Sequence, residues 1–186
     1  MAIGQNPTPL HNRYLVLRWD FSVVATYGDV EEVAQALADH INSTLTFFAR
    51  RYQHLLPVSI ELHPTNPVAS FQSAMIAVQQ SEYKLYLLID EYDNFANEVL
   101  MAGGQVGRTR YRELVESESI FRTLFKAVKS ATSGQGLDRI FITGVSPIVL
   151  SDVSSGFNIA GNIYLWPNFN AMCGFTEAEI TTVLYN

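Results

Sequence analysis

Short apolar runs recur along the chain and alternate with longer segments in which apolar residues follow a helical spacing. The run at 84–90, KLYLLID, is too short for an independent helix and is apolar on both faces, as a strand inside a parallel sheet is. Similar runs predict further strands at 13–20 (RYLVLRWD), 139–143 (RIFIT) and 162–166 (NIYLW). Strands that alternate with helical crossovers predict an α/β fold, a three-layer sandwich in which helices flank both faces of a mostly parallel sheet.

Helical spacing begins after Asp29, where apolar residues recur at intervals of three and four and two glutamates favour the helix N-terminus. Asn66-Pro67 predicts a second helix start, because asparagine caps a helix and proline fits its first turn. A further helix is predicted around 121–128. A last helix is predicted from Thr176, where T-x-x-E matches a capping box.

Composition limits the class of protein. The 186 residues are 48% hydrophobic and 16% charged, which is typical of one globular domain. The net charge of -6 disfavours direct nucleic-acid binding, since affinity for phosphate backbones comes mainly from clustered Lys and Arg. The single cysteine, Cys173, and the absence of a signal-type opening predict an intracellular protein. No apolar run approaches the roughly 18 residues of a membrane span, so a soluble protein without membrane association is predicted.

Two acids, Asp90 and Glu91, come directly at the end of the run at 84–90. In open parallel sheets, ligands bind beyond the carboxyl ends of the strands. An acid at such a tip can hold Mg²⁺, commonly through water, and the neighbouring acid can orient or deprotonate a water that attacks a phosphate. The same pattern also arises where a buried strand exits into a polar turn, so both interpretations stay open.

Two more polar residues are candidates for the same site. The run at 139–143 ends in the hydroxyl of Thr143. Two acids at a strand tip are the Walker B arrangement of ATPases, and in many ATPases of this kind a polar residue at the adjoining strand tip senses the terminal phosphate. The alternative is a threonine that only satisfies a turn. Asp93 also has two interpretations, either part of a metal shell or an ordinary turn carboxylate.

The stretch 97–112 is rich in glycine and arginine, and it is predicted to be an irregular insertion. Arg108, Arg110 and Arg112 alternate within it. One of these arginines is a candidate for stabilising transition-state charge or for contacting nucleic acid. The alternative, a solvated basic loop on an acidic protein, is favoured by the overall charge.

Several long strings carry a family resemblance. The strings IDEYDNF, RIFITGVSPIVL, SGFNIAGNI and CGFTEAEI resemble, in this order, the AAA-ATPase-like domain found in many bacterial and fungal proteins. RYLVLRWDFS resembles the strand that follows the phosphate loop in that family. The resemblance covers about 13–186, which leaves 1–12 as an irregular N-terminal segment. It implies a P-loop NTPase fold with ATP and Mg²⁺ as ligands.

The resemblance also implies roles for individual residues. Asp90 is expected to be the metal-site acid at the end of the Walker B strand 84–90, and Glu91 the hydrolytic acid. Thr143 is expected to be the sensor at the end of strand 139–143. Because domains of this family are often followed by a restriction-endonuclease-like domain, an attached or associated nuclease is an expected partner.

The phosphate-gripping half of such a site is missing from the sequence. The family's domain should open with a strand and the Walker A loop, G-x-x-x-x-G-K-[ST], yet none of the three lysines follows a glycine. The glycine clusters at 103–107 and 134–136 do not supply the pattern either. The resemblance places the missing first strand between those at 139–143 and 162–166. The expectation is an N-terminally truncated domain, or one whose gap another segment fills, that is inactive alone.

Three functions therefore stay open, of which one, direct nucleic-acid binding by this domain, fits the net charge of -6 poorly. Another is an ATPase module that works with an upstream segment and couples hydrolysis to a partner. The alternative is a non-catalytic, degenerate domain that is used for protein-protein contacts. The sequence does not determine the oligomeric state.

Overall fold

The computed structural model describes residues 7, 9–101, 104–115, 119–145, 161–163, 166–169 and 181, without the side chains at 104–106 and 110. The strands are β1 (Tyr14–Asp20), β2 (Lys84–Asp90) and β3 (Leu137–Ile142). The helices are α1 (Val30–Tyr52), α2 (Pro67–Gln79), α3 (Tyr92–Met101), α4 (Gly104–Leu114) and α5 (Ile120–Ala131). Two 3-10 turns are at Phe21–Val23 and Pro167–Phe169.

The three strands form one parallel sheet in the order β1-β2-β3. The register pairs Asp20 with Asp90 and Ile89 with Ile142, so the carboxyl ends of all three strands meet at one edge. An irregularity between Leu85 and Tyr86 lies near the other edge and does not disturb this alignment. The predicted α/β class and parallel sheet are confirmed.

Two helices, α1 and α2, start where the sequence predicts. Asp29 caps α1, and its carboxylate accepts from the Glu32 amide while the Glu32 side chain accepts from the Asp29 amide, a complete capping box. Asn66 caps α2 and is followed by the first-turn proline. Ser119 caps α5 by accepting from the Arg122 amide.

One face of the sheet carries the hydrophobic core. Leu17, Leu87 and the residues that share their face are buried against the helices. The other face is more open, since Val16 is exposed and Tyr86 is half-buried. Within the described residues the helices cover one face, so the predicted helical layer on the second face is not observed there.

The interpretation of 97–112 as an irregular insertion was wrong, because α3 and α4 account for most of it. The helix α4 buries Tyr111 and Leu114, and Val115 directly after it. This spacing of three and four residues is helical and was obscured by the glycines and arginines around it. A Cβ at Gly107 would clash with the Leu100 carbonyl, so glycine is needed where α4 approaches α3.

Two predicted elements near the C-terminus are not tested in full. The strand at 162–166 includes residues 164 and 165, which lie outside the described part, while Asn162, Ile163 and Trp166 are not in a strand. The helix predicted from Thr176 also begins outside the described residues. No helix in the described ranges combines the length and apolar character needed to cross a membrane.

Candidate functional site

The candidate site is the edge at which the three strands end. Asp90 is the last residue of β2, and Thr143 follows β3 directly. The Thr143 amide donates to the Ile89 carbonyl at 2.8 Å, so the ladder between β2 and β3 continues to this residue. The Tyr92 amide in turn donates to the Thr143 carbonyl at 3.2 Å. These backbone bonds fix Thr143 beside the start of α3.

Asp90 makes polar contacts with residues on both neighbouring strand ends. Its Oδ1 accepts from the Thr143 hydroxyl, and its Oδ2 accepts from Arg18 Nη2 at 2.7 Å. The Thr143 hydrogen bond, and then the bond and charge of Arg18, lower the pKa of Asp90 against the opposing effect of partial burial. Asp90 is therefore an anion at neutral pH, and 38% of its side chain is exposed.

Arg18 joins the ends of β1 and β2 on the open face of the sheet. Its Nη2 also contacts Asp20 Oδ2 at 3.1 Å. Asp20 is held in turn by Ser22, whose amide and hydroxyl donate to Oδ1 at 3.2 and 2.6 Å. A continuous polar row thus runs from Asp20 through Arg18 and Asp90 to Thr143.

Glu91 links β2 to α3 in an unusual conformation. Its φ is 52°, in the left-handed region that non-glycine residues rarely adopt. Its carbonyl accepts from the Asn94 amide at 3.0 Å, which closes the first turn of α3. The side chain is half-buried, and its carboxylate has no hydrogen bond or ion pair within the described residues. The carboxylate is thus not committed to a structural contact there.

Asp93 has a structural role at this edge. Its side chain is 1% exposed, and both carboxylate oxygens accept from the Val145 amide at 3.1 Å. A Cβ at Gly144 would clash with the Tyr92 ring and the Asp93 carboxylate, so glycine permits this close approach. Asp93 therefore ties the segment after Thr143 to the first turn of α3, which favours the turn-carboxylate alternative.

The oxygen donors at this edge fit one kind of metal site. No three His, Cys, Asp or Glu side chains among the described residues converge as a metal-binding group. The described residues therefore do not support a cation enclosed by protein ligands alone. Mg²⁺ usually keeps several waters and uses one or two carboxylates together with substrate phosphates. The carboxylate of Asp90 beside the hydroxyl of Thr143 suits that arrangement.

The sequence-predicted residues divide into two groups. Asp90 and Thr143 are hydrogen-bonded, and Glu91 is adjacent to them in the chain. Arg108 and Arg112 lie on α4 with exposed side chains, and neither makes a hydrogen bond or ion pair with the strand tips within the described residues. The side chain of Arg110 is outside the description.

Sequence reasoning missed the parts played by Arg18 and Asp20. The signal was a charged residue inside an otherwise apolar strand, RYLVLRWD, at a position two before the terminal acid. In a strand, residues two apart share a face, so Arg18 and Asp20 are expected on the same side. Their pairing with Asp90 depends on the β1–β2 register, which the sequence does not show.

Comparison with known proteins identifies the family and nothing finer. No curated protein and no solved structure matches the chain. The model of a family described as "Predicted AAA-ATPase" matches residues 1–154, which is most of the chain. The chain belongs to this predicted AAA-ATPase-like family.

Proposed function

We propose that this domain supplies the metal-and-water half of a Mg-ATP site at the carboxyl edge of its sheet. The observation that carries the proposal is the contact between Asp90 and Thr143 on adjacent strand ends, with Glu91 directly after Asp90. Ligands of open parallel sheets bind at this edge. Membership of a predicted ATPase family makes ATP the expected ligand.

Each residue has a distinct role in the proposal. Asp90, an anion at neutral pH, holds waters of the metal's shell. Glu91, whose carboxylate is not committed to a described contact, accepts a proton from the attacking water. When nucleotide is bound, the Thr143 hydroxyl donates to the terminal phosphate in place of Asp90 Oδ1. Bound Mg²⁺ would neutralise charge on the phosphates.

The 186 residues contain no G-x-x-x-x-G-K-[ST] loop to hold the phosphates. Backbone amides and the lysine of such a loop normally provide most of the grip on the nucleotide. We therefore expect this chain alone to bind Mg-ATP weakly, with a Kd on the order of 1 mM or above. We expect no hydrolysis above background from the chain alone.

Amide NMR spectra recorded during a titration with Mg-ATP test the proposal on the chain itself. Weak binding should shift the amides of Asp90, Glu91 and Thr143, and Asp90→Asn should abolish these shifts. Asp138→Asn is the matched control, because Asp138 is also a partly exposed strand acid but lies at the start of β3. Shifts that are absent, or that survive Asp90→Asn, overturn the proposal. A Kd below about 1 μM would overturn the expectation of weak binding.

A second arm tests the hydrolytic role of Glu91. When a strand and a G-x-x-x-x-G-K-[ST] loop are supplied ahead of the domain and hydrolysis is measurable, Glu91→Gln should lower kcat by about 10²- to 10⁴-fold. Binding of Mg-ATP should be retained. Glu82→Gln, a change at an exposed acid before β2, is the control. Unchanged turnover in Glu91→Gln would remove this residue from the proposal.

A further inference from the structure

We propose that Arg18 is an internal counter-cation that holds Asp90 in the metal-free domain and gives up Asp90 when a divalent cation arrives. The inference rests on the proposed metal role of Asp90. It assigns to Arg18 the control of cation affinity at the carboxyl edge of the sheet. Arg18 is a positioning residue in this sense, because it acts through Asp90.

The positive charge of Arg18 lies beside the Asp90 oxygen that a bound metal ion, or a water of its shell, would use. Arg18 Nη2 lies 2.7 Å from Asp90 Oδ2, and the Thr143 hydroxyl bonds to the other oxygen. Both carboxylate oxygens therefore already accept a hydrogen bond. A divalent cation, or a water of its shell, that uses Oδ2 competes with the guanidinium for its lone pairs and is repelled by its charge.

Arg18 can move away from Asp90 and still keep a carboxylate partner. Asp20 Oδ2 already lies 3.1 Å from the same nitrogen. Asp20 does not depend on Arg18 for its position, because the amide and hydroxyl of Ser22 hold its other oxygen. The side chain of Arg18 is also 59% exposed, so it can move without disturbing the core. Asp20 thus remains the ion-pair partner of Arg18 when Asp90 binds a cation.

The chain offers a close control for the charge effect. Arg139 lies on the same sheet, is 60% exposed and pairs with Asp138 at 3.4 Å. It pairs in register with Tyr86, four residues before Asp90, which corresponds to about 13 Å along the strand. Arg18→Met and Arg139→Met make the same change in net charge at similarly exposed sites. Only Arg18→Met removes the competitor from Asp90.

Binding of Mn²⁺ alone, measured by electron paramagnetic resonance without nucleotide, tests the inference. Mn²⁺ favours the same oxygen ligands as Mg²⁺ and is detected directly. Arg18→Met should bind Mn²⁺ about three- to fivefold more tightly than the wild type, a modest gain because exposed ion pairs are worth at most about 1 kcal/mol. Arg139→Met should bind within about twofold of the wild type. Asp90→Asn, alone or with Arg18→Met, should lose the site.

Each outcome separates this inference from the proposed function. If Asp90 is needed for Mn²⁺ binding but Arg18→Met binds no more tightly than Arg139→Met, Arg18 is not the competitor and the inference alone fails. If Mn²⁺ does not bind in a manner that depends on Asp90 in any variant, the metal role of Asp90 fails as well. Circular dichroism spectra of all variants verify that they are folded.

A structural readout that is independent of affinity completes the test. The guanidinium nitrogens of Arg18 should shift in ¹⁵N NMR spectra as Mg²⁺ is added, because they lose one carboxylate partner. The signals of Arg139 should stay in place, and Asp90→Asn should suppress the response of Arg18. Arg18 signals that do not change while Asp90 binds Mg²⁺ would overturn the exchange.

Discussion

Glu91 combines an unfavourable backbone conformation with a side chain that makes no described structural contact. Left-handed geometry costs a non-glycine residue roughly 1–2 kcal/mol, because the Cβ crowds the following carbonyl. Strain of this kind clusters at active sites and ligand-binding segments, which supports the role proposed for Glu91. At this position it permits β2 to end and α3 to begin within a single connecting residue.

Replacing Glu91 with glycine should therefore stabilise the domain. Relief of the strain exceeds the added flexibility of the unfolded chain, and we expect a gain of roughly 0.5–1 kcal/mol in the free energy of unfolding. Glu91→Ala removes the carboxylate but keeps the strain, so it should give no such gain. Urea denaturation of both variants measures the difference. If Glu91→Ala stabilises the domain as much as Glu91→Gly, the gain comes from the loss of charge repulsion and not from relief of backbone strain.

At the scale of residues, the sequence predicted which side chains lie at the strand ends better than it predicted their contacts. The strand run KLYLLID placed Asp90 at a tip, and RIFIT placed Thr143 at the next one, because apolar runs mark buried strands directly. The contacts of Arg18 and Asp93 were not predicted, since their partners are 72 and 52 positions away in the chain. Such contacts depend on register and helix placement, which side-chain types alone do not determine.

At the scale of elements, a buried carboxylate couples α3 to the end of β3. The Val145 amide has both oxygens of Asp93 within 3.1 Å, and the Tyr92 amide bonds to the Thr143 carbonyl. Because Thr143 is held from both sides, its hydroxyl is kept in position for Asp90. The helix α3 thus fixes the loop that follows β3 as well as its own start.

Asp93→Ala should weaken this coupling. It leaves the Val145 amide without its carboxylate acceptor and should cost roughly 1–3 kcal/mol of stability. Hydrogen exchange at Val145, followed by NMR, should become faster by more than the global change in stability explains. Glu82→Ala, at an exposed acid, should change neither quantity. Unaltered exchange at Val145 in Asp93→Ala would show that the carboxylate does not hold this segment.

Helices were predictable where the spacing of apolar residues and a capping residue indicated the same start. Capping residues Asp29 and Asn66 marked the starts of α1 and α2 correctly. The helix α4 was missed because its glycines and arginines are typical of loops, whereas close packing on α3 makes Gly107 favourable there. Tertiary contact therefore outweighed local preference in this segment.

At the scale of the whole molecule, one apolar core joins the sheet to the helices. Aromatic rings form its centre, where Phe121 on α5 lies 5.4 Å from Phe21 and 5.2 Å from Phe95 between ring centroids. Phe21 belongs to the turn after β1, and Phe95 belongs to α3. The strand ends that carry the candidate site are thus connected to this aromatic cluster. The second face of the sheet has no comparable cluster in the described residues.

Phe121→Ala should consequently destabilise the entire domain. The side chain is fully buried, and removing it leaves a cavity between three elements, at a cost of about 3–5 kcal/mol. Phe47→Ala is the matched control, because Phe47 lies on α1 with 67% of its surface exposed and should change stability by less than about 0.5 kcal/mol. Thermal unfolding should be followed by circular dichroism and by tryptophan fluorescence in a Trp166→Phe background, in which the remaining tryptophan is Trp19 beside Phe21. If the core is one cooperative unit, both signals should fall to the same lower midpoint in Phe121→Ala. Separate midpoints would show that the strand ends and the helices unfold independently, and Phe121 would then not connect them.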